Sequence, residues 1–298
     1  VTSRSSAAAE PAFESPAENE TLEEARARNV RDALREDVGT GDWTALLVPR
    51  RPARALVEVR EEAVLCGRDW FEAVFRALDP AVLVEWRYEE GADMAATSEV
   101  CEVRGDVRAL LTGERSALNF LQLLSAAATV ARRHARAVAG VSPNPRGCAV
   151  LDTRKTIPGL RRAQKYAVRV GGGANHRLAL WDGILIKENH VAAAGGIAAA
   201  LERARALQAG VEIQVEVERL EQLDEALAAG AASVLLDNFT IDLIRAAVAL
   251  SGGRALLEVS GGVTLENLRE IAATGVDRIS IGALTKDVRA VDFSMRLA

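Results

Sequence analysis

The chain has 298 residues, 49% of them hydrophobic, and a formal net charge of −5. That length accommodates two domains, or one barrel with an added domain, around a full core. The acidic balance argues against general nucleic-acid binding, which leaves a basic footprint, and no apolar run reaches the ~18 residues of a membrane-spanning helix. Cys66, Cys101 and Cys148 are odd in number and form no CxxC pair, so neither a disulfide framework nor a zinc knuckle is indicated. A reducing cytosol is the expected setting, with all three cysteines as buried small hydrophobes.

Residues 1–20 are rich in Ala, Ser, Pro and Glu without apolar period, which reads as a disordered leader. They lack the apolar core of a signal peptide, and their glutamates count against a transit peptide. A helix is expected from Thr21, where Thr21 and Glu24 form a capping box, and EDVGTGDWT ends it. Residues 53–64 and 81–88 alternate as half-buried strands, with a helix over 69–78 between them. Two further strands are expected over 99–104 and 107–111, which makes residues 21–128 an α+β domain. Residues 116–139 form a helix apolar on nearly every side in its first half, as in a hinge buried between two bodies, and VSPNPRG closes it.

From Cys148 onward the rhythm changes. CAVLDT, ILIKEN, VEIQVEVE, SVLLDN, ALLEVSGG and RISIGA alternate with helical segments. Six β-then-α units in series imply a parallel sheet, and an open or closed α/β barrel over residues 129–285 is the expected catalytic domain. The tail, 286–298, is expected to return to the first domain.

In such barrels the active site lies at the C-terminal ends of the strands. Here Thr153, Arg154 and Lys155 follow the first strand, Lys187 the second, Glu218 the third, Asp237 the fourth, Ser260 the fifth and Gly282 the sixth. Cations concentrated between Asp152 and His190, against the net sign of the chain, point to a pocket for a strongly anionic small molecule. Gln214, Glu216 and Glu218 share one strand face, with Glu218 nearest the mouth. Glu218 and Asp237 either neutralise Lys155 and Lys187 or hold Mg²⁺, which takes one or two carboxylates plus substrate phosphate oxygens. SGGVT, with Ser260, Gly261 and Gly262, and IGALT, with Gly282, occupy the last two strand ends, the usual phosphate site of barrels. His176 and Arg177 follow a glycine hinge and are expected to contact the ligand. His190 is expected to be structural, and Tyr166, Trp181 and Trp43 to pack.

DTRKT, GGGANHR, LIKENH, VEVE, LLDN, SGG and IGALT, in this order and preceded by ERSALNFLQ, closely resemble the quinolinate phosphoribosyltransferases. The resemblance runs from about Thr21 to the C-terminus. It implies an N-terminal α/β sandwich domain plus an incomplete six-stranded parallel α/β barrel. It also implies conversion of quinolinate and 5-phosphoribosyl-1-pyrophosphate to nicotinate mononucleotide, pyrophosphate and CO₂, with Mg²⁺, in de novo NAD biosynthesis. Homodimers or larger homo-oligomers with shared sites are implied as well, with no nucleic acid and no membrane partner. Carried over by motif, Arg154, His176, Arg177, Lys155 and Lys187 would hold the quinolinate carboxylates and neighbouring phosphates, with Thr153 beside them. Arg115 would arrive from the partner subunit. Glu218 and Asp237 would hold Mg²⁺-pyrophosphate, and Ser260, Gly261, Gly262 and Gly282 the 5-phosphate. A relative acting on another pyridine, such as nicotinate, or on another anionic acceptor, and a silent phosphate-ligand sensor are the competing readings.

Overall fold

The structure, a computed structural model, describes residues 19–298, so nearly all of the expected leader lies outside the described residues. Helix α1 (Leu22–Asp37) opens on the anticipated capping box. Thr21 Oγ1 accepts the Glu24 N–H at 3.2 Å and the Glu24 carboxylate accepts the Thr21 N–H at 2.7 Å. Two of the orphan donors at the helix start are thereby satisfied.

Strand β1 (Pro52–Val59) buries every second side chain from Ala55 on. It is followed by β2 (Ala63–Val64), α2 (Arg68–Leu78), β3 (Leu83–Trp86), β4 (Asp93–Met94) and β5 (Ser98–Asp106). Trp70, Phe71, Val74 and Phe75 form the buried face of α2, at the i, i+4 spacing that a helix presents to a core.

Residues 107–111, expected as a strand, instead begin a 32-residue helix, α3 (Val107–Val138). Asp106 caps it by accepting the Arg108 N–H at 3.0 Å. Val107 and Leu110 are buried three residues apart, a helical spacing that the short apolar run disguised. At about 1.5 Å per residue α3 spans roughly 48 Å. Its residues through Ala128 belong to the core of the first domain, and Ala131 and Val138 belong to the core of the barrel. One rod therefore joins two hydrophobic bodies.

The barrel follows as β6 (Ala149–Leu151), α4 (Arg161–Val170), β7 (Gly183–Ile186), α5 (Glu188–Ala194), α6 (Ile197–Ala206), β8 (Glu212–Val217), α7 (Leu220–Ala228), β9 (Ser233–Asp237), α8 (Ile241–Ser251), β10 (Leu256–Ser260), α9 (Leu265–Ala272), β11 (Arg278–Ser280) and α10 (Ala283–Lys286). The six strands are parallel in the order β6-β11-β10-β9-β8-β7. Strands β6 and β7 are consecutive in the chain yet form the two outer edges, so the barrel is incomplete between them. Strand β12 (Phe293–Leu297) pairs antiparallel with β1, giving the first domain a sheet ordered β12-β1-β5-β3.

Candidate active site

At the C-terminal ends of the strands the predicted residues separate into two groups. The first surrounds Gly282, after β11. A β-carbon placed there would lie 3.0 Å from Lys155 Cδ, 3.6 Å from Thr153 Oγ1 and 3.8 Å from Lys286 Cε, so two lysines and a hydroxyl converge on bare backbone. Lys286 is a member that strand-end reasoning missed, because it sits on the short helix beyond the strand. The loop carrying Lys155 is pinned from behind: Thr285 Oγ1 donates to the Lys155 carbonyl at 2.7 Å, and Gln164 accepts the Ile157 N–H at 2.8 Å.

In the second group Lys187, after β7, pairs with Glu216 of β8 at 2.8 Å. Asp237, at the end of β9, feels the same pair. Burial and then the charge of Glu216 raise its carboxyl above the usual range, while Lys187 and Lys155 oppose them. Glu218 lies one residue past the end of β8, exposed, with its own N–H donating to Gln222 at 2.9 Å. The carboxylate that faces Lys187 and Asp237 is thus Glu216, two residues earlier on the same strand face. Glu218 has no cation partner among the described residues.

The β9 and β10 ends interlock. Asn238, at φ +56°, donates its N–H to the Ser260 carbonyl at 2.9 Å and its side-chain amide to Asp237 at 2.9 Å. Gly261, at φ +88°, packs so closely that a β-carbon would lie 2.1 Å from Asn238 Oδ1. Gly262 follows at φ +60° and faces open space. The result is a turn of exposed backbone at the mouth, the geometry that lets main chain approach a phosphate.

Arg154 and Arg177 stand beside each other. Burial and then the charge of Arg154 lower the proton affinity of Arg177, opposed by Asp182 and Glu216. Arg177 Nη1 donates to the Gly183 carbonyl at 2.9 Å, and Arg154 Nε is buried without a hydrogen-bond partner. Two guanidiniums held together with an unsatisfied donor form a site that a bound carboxylate would relieve.

His176 is held from three sides. Its N–H donates to the buried Asp152 carboxylate at 3.0 Å, its Nδ1 accepts the Arg177 N–H at 2.7 Å, and its Nε2 lies 3.2 Å from Gln214 Oε1. Asp152 also accepts from Lys165 Nζ and, at 2.6 Å, from Asn175 Nδ2. Burial raises the Asp152 carboxyl and lowers the Lys165 ammonium, and their mutual attraction opposes both shifts. A cavity of about 600 Å³ enters the gap between β6 and β7 and reaches His176, Arg177, Gln214 and Lys165 from the side. It borders His176 and Arg177 but is not the mouth.

No group of three or more His, Cys, Asp or Glu is placed to hold a metal among the described residues. The pair Glu216 and Asp237 suits a hard cation that keeps most of its ligands from water and substrate.

Arg115 lies exposed on α3 in the first domain, with no side-chain hydrogen bond or ion pair among the described residues. Lys187 N–H donates to His190 Nδ1 at 3.0 Å, a structural cap as expected. Tyr166 packs on Trp70 with ring centroids 5.4 Å apart. Trp43 and Trp181, expected to pack, are exposed, at 78% for Trp43. Cys66 and Cys101 are buried and Cys148 half-buried, all of them free.

Residues 42–125 match the family profile of the quinolinate phosphoribosyl transferase N-terminal domain, and residues 127–296 that of its C-terminal domain. The chain is 42% identical over 279 residues to the nicotinate-nucleotide pyrophosphorylase (carboxylating) of Mycobacterium leprae, covering 90% of this chain and 95% of that protein. It is 37% identical to the human protein of the same name, over 89% of each chain. Its structure superimposes on that of the nicotinate-nucleotide pyrophosphorylase from Francisella tularensis with a TM-score of 0.88 and 43% identity, covering 94% of this chain and 98% of that one. Two domains in the right order, a six-stranded open barrel and this degree of identity have one reading: the chain belongs to the quinolinate phosphoribosyltransferase family.

Proposed function

We infer that this chain is a carboxylating nicotinate-nucleotide pyrophosphorylase, an enzyme of NAD biosynthesis. It joins quinolinate to 5-phosphoribosyl-1-pyrophosphate and releases nicotinate mononucleotide, pyrophosphate and CO₂. The observation that carries this reading beyond family membership is the Arg154–Arg177 pair, with its buried, unpartnered Nε. It supports an acceptor that brings more than one negative charge into the cleft.

Arg154 and Arg177, with Lys155 and Lys187 nearby, orient the two carboxylates so that the pyridine nitrogen faces the ribose C1. Ser260, Gly261, Gly262 and Gly282 receive the 5-phosphate on backbone. The nitrogen attacks C1 as the bond to pyrophosphate breaks, and Lys155 and Lys187 offset the charge that leaves. The ring nitrogen, now cationic, draws in the electron pair of the C2–carboxylate bond as CO₂ departs, and C2 is then protonated. Catalysis is positioning and electrostatics, with no covalent nucleophile.

Asp237 and a carboxylate from the end of β8 would hold Mg²⁺, and the geometry favours Glu216 over Glu218 for that place. When bound, Mg²⁺ supplies positive charge for the pyrophosphate oxygens. A second copy of the chain completes the site through the partner's Arg115. Trp43 and Leu47 are exposed beside Asp42, which Thr112 of α3, one helical turn before Arg115, holds by a hydrogen bond of 2.9 Å, and such exposed apolar side chains suit burial against a partner. Three free cysteines, their thiols pushed up by burial, suit a reducing compartment, the cytosol.

The test is release of labelled CO₂ from quinolinate labelled at its 2-carboxylate. Release that requires both phosphoribosyl pyrophosphate and Mg²⁺ is expected. Folded protein that releases none, but ribosylates nicotinate, would transfer the assignment to a monocarboxylate acceptor.

A further inference from the structure

Glu258 lies inside the barrel on β10, fully buried, and is not one of the strand-end groups at the mouth. A carboxylate at such a place is costly unless its oxygens are satisfied. Oε2 accepts from Gln214 Nε2 at 3.0 Å. Oε1 has no hydrogen-bond partner and stands 3.4 Å from His176 Nε2. Gln214 Nε2 also donates to Ser233 Oγ at 3.2 Å, so both amide hydrogens of Gln214 are engaged and its carbonyl is left to face His176.

On the other side of the ring, Nδ1 accepts the Arg177 N–H. A nitrogen that accepts carries a lone pair, so the ring proton resides on Nε2. That proton is directed at Gln214 Oε1, with Glu258 Oε1 standing 3.4 Å from the same nitrogen. Both ring nitrogens of His176 are therefore engaged by the protein, and neither is free for an anion.

We propose that Glu258 is a positioning residue for the anion-binding arm. By orienting Gln214 and presenting Oε1 to His176 Nε2, it fixes the histidine tautomer whose Nδ1 holds the backbone of Arg177, and so the guanidinium beside Arg154. His176 acts through Arg177 rather than by touching the acceptor. A Gln at 258 that keeps the Gln214 bond through its carbonyl would turn an N–H donor toward Nε2. The ring would then shift its proton to Nδ1, and the Arg177 N–H would lose its acceptor. This inference rests on the proposed function only for the identity of the acceptor.

The experiment is ¹⁵N NMR of histidine-labelled protein, with His176→Gln used to assign its signals among the three histidines of the chain. The unmodified protein, without substrate, is expected to show His176 protonated at Nε2 with an acceptor Nδ1. An Nδ1-protonated ring would overturn the proposal without any variant. In Glu258→Gln the His176 signals are expected to change to the other tautomer or to lose the slowly exchanging Nε2 proton. KM for quinolinate should rise about tenfold, the loss of one buried charge-assisted contact, with KM for phosphoribosyl pyrophosphate within about twofold. A folded variant with unchanged His176 signals and unchanged KM for quinolinate would sink the idea. Because the spectrum is read without substrate, a wrong acceptor would leave the tautomer result standing. A wrong role for Glu258 would fail there while quinolinate turnover persisted.

Discussion

Asp237 shows how a site can hold charge at the expense of the fold. Its carboxyl is raised by burial and by Glu216, so in the folded chain it keeps its proton to a higher pH than in the unfolded one. The folded state then binds more protons as pH rises through that interval, and stability falls. Asp237→Asn should therefore melt at a higher temperature than the parent at pH 7, with the gap closing below the ordinary aspartate range near pH 4, while turnover is lost. Thermal melts across that range check the sign, and a variant less stable than the parent at pH 7 would refute it. Residue-level chemistry was legible in part. The cations and Asp237 stand out as candidates because they follow apolar runs, whereas a period of two places Glu216 and Glu218 on one face without saying where β8 stops. Glu258 sits inside β10 and Asp152 directly follows β6, where a charged residue reads as an outward face or a strand end until its buried partners are seen.

The barrel strands were legible to within one residue at their starts, because each is a short apolar run bounded by glycine or a polar cluster, while the expected ends ran one to three residues past the observed ones. The start of α3 was not, since VRALL is too short to show whether its period is two or three and a half. Elements also explain the glycine turn after β10. Gly261→Ala would place a β-carbon 2.1 Å from Asn238 Oδ1 at φ +88°, and the turn would have to open. A loss of about 2 kcal/mol is expected, measured by chemical denaturation, together with a raised KM for phosphoribosyl pyrophosphate and little change in KM for quinolinate. A variant as stable as the parent with both KM values unchanged would show that the turn neither packs nor binds as described.

At the scale of the whole molecule, the site is spread over two bodies and, in the proposed assembly, two chains. Arg115→Ala mixed with Lys155→Ala should recover activity by forming hybrid sites, up to about a quarter of the parent level for random dimer exchange in which one intact site survives per hybrid. Each variant alone should lose about 10²-fold or more in kcat, as when a charge-stabilising donor is removed. No recovery, with exchange verified by mass spectrometry, would place Arg115 outside the partner's site. The pairing of β12 with β1 has a consequence for how the chain is made. The first sheet cannot acquire this edge strand until residues 293–297 have left the ribosome, long after β3 and β5 are available, and by then the barrel strands have all been synthesised. The domain that begins first is closed last, and until that closure β1 presents an open edge to whatever neighbouring chains the cell provides.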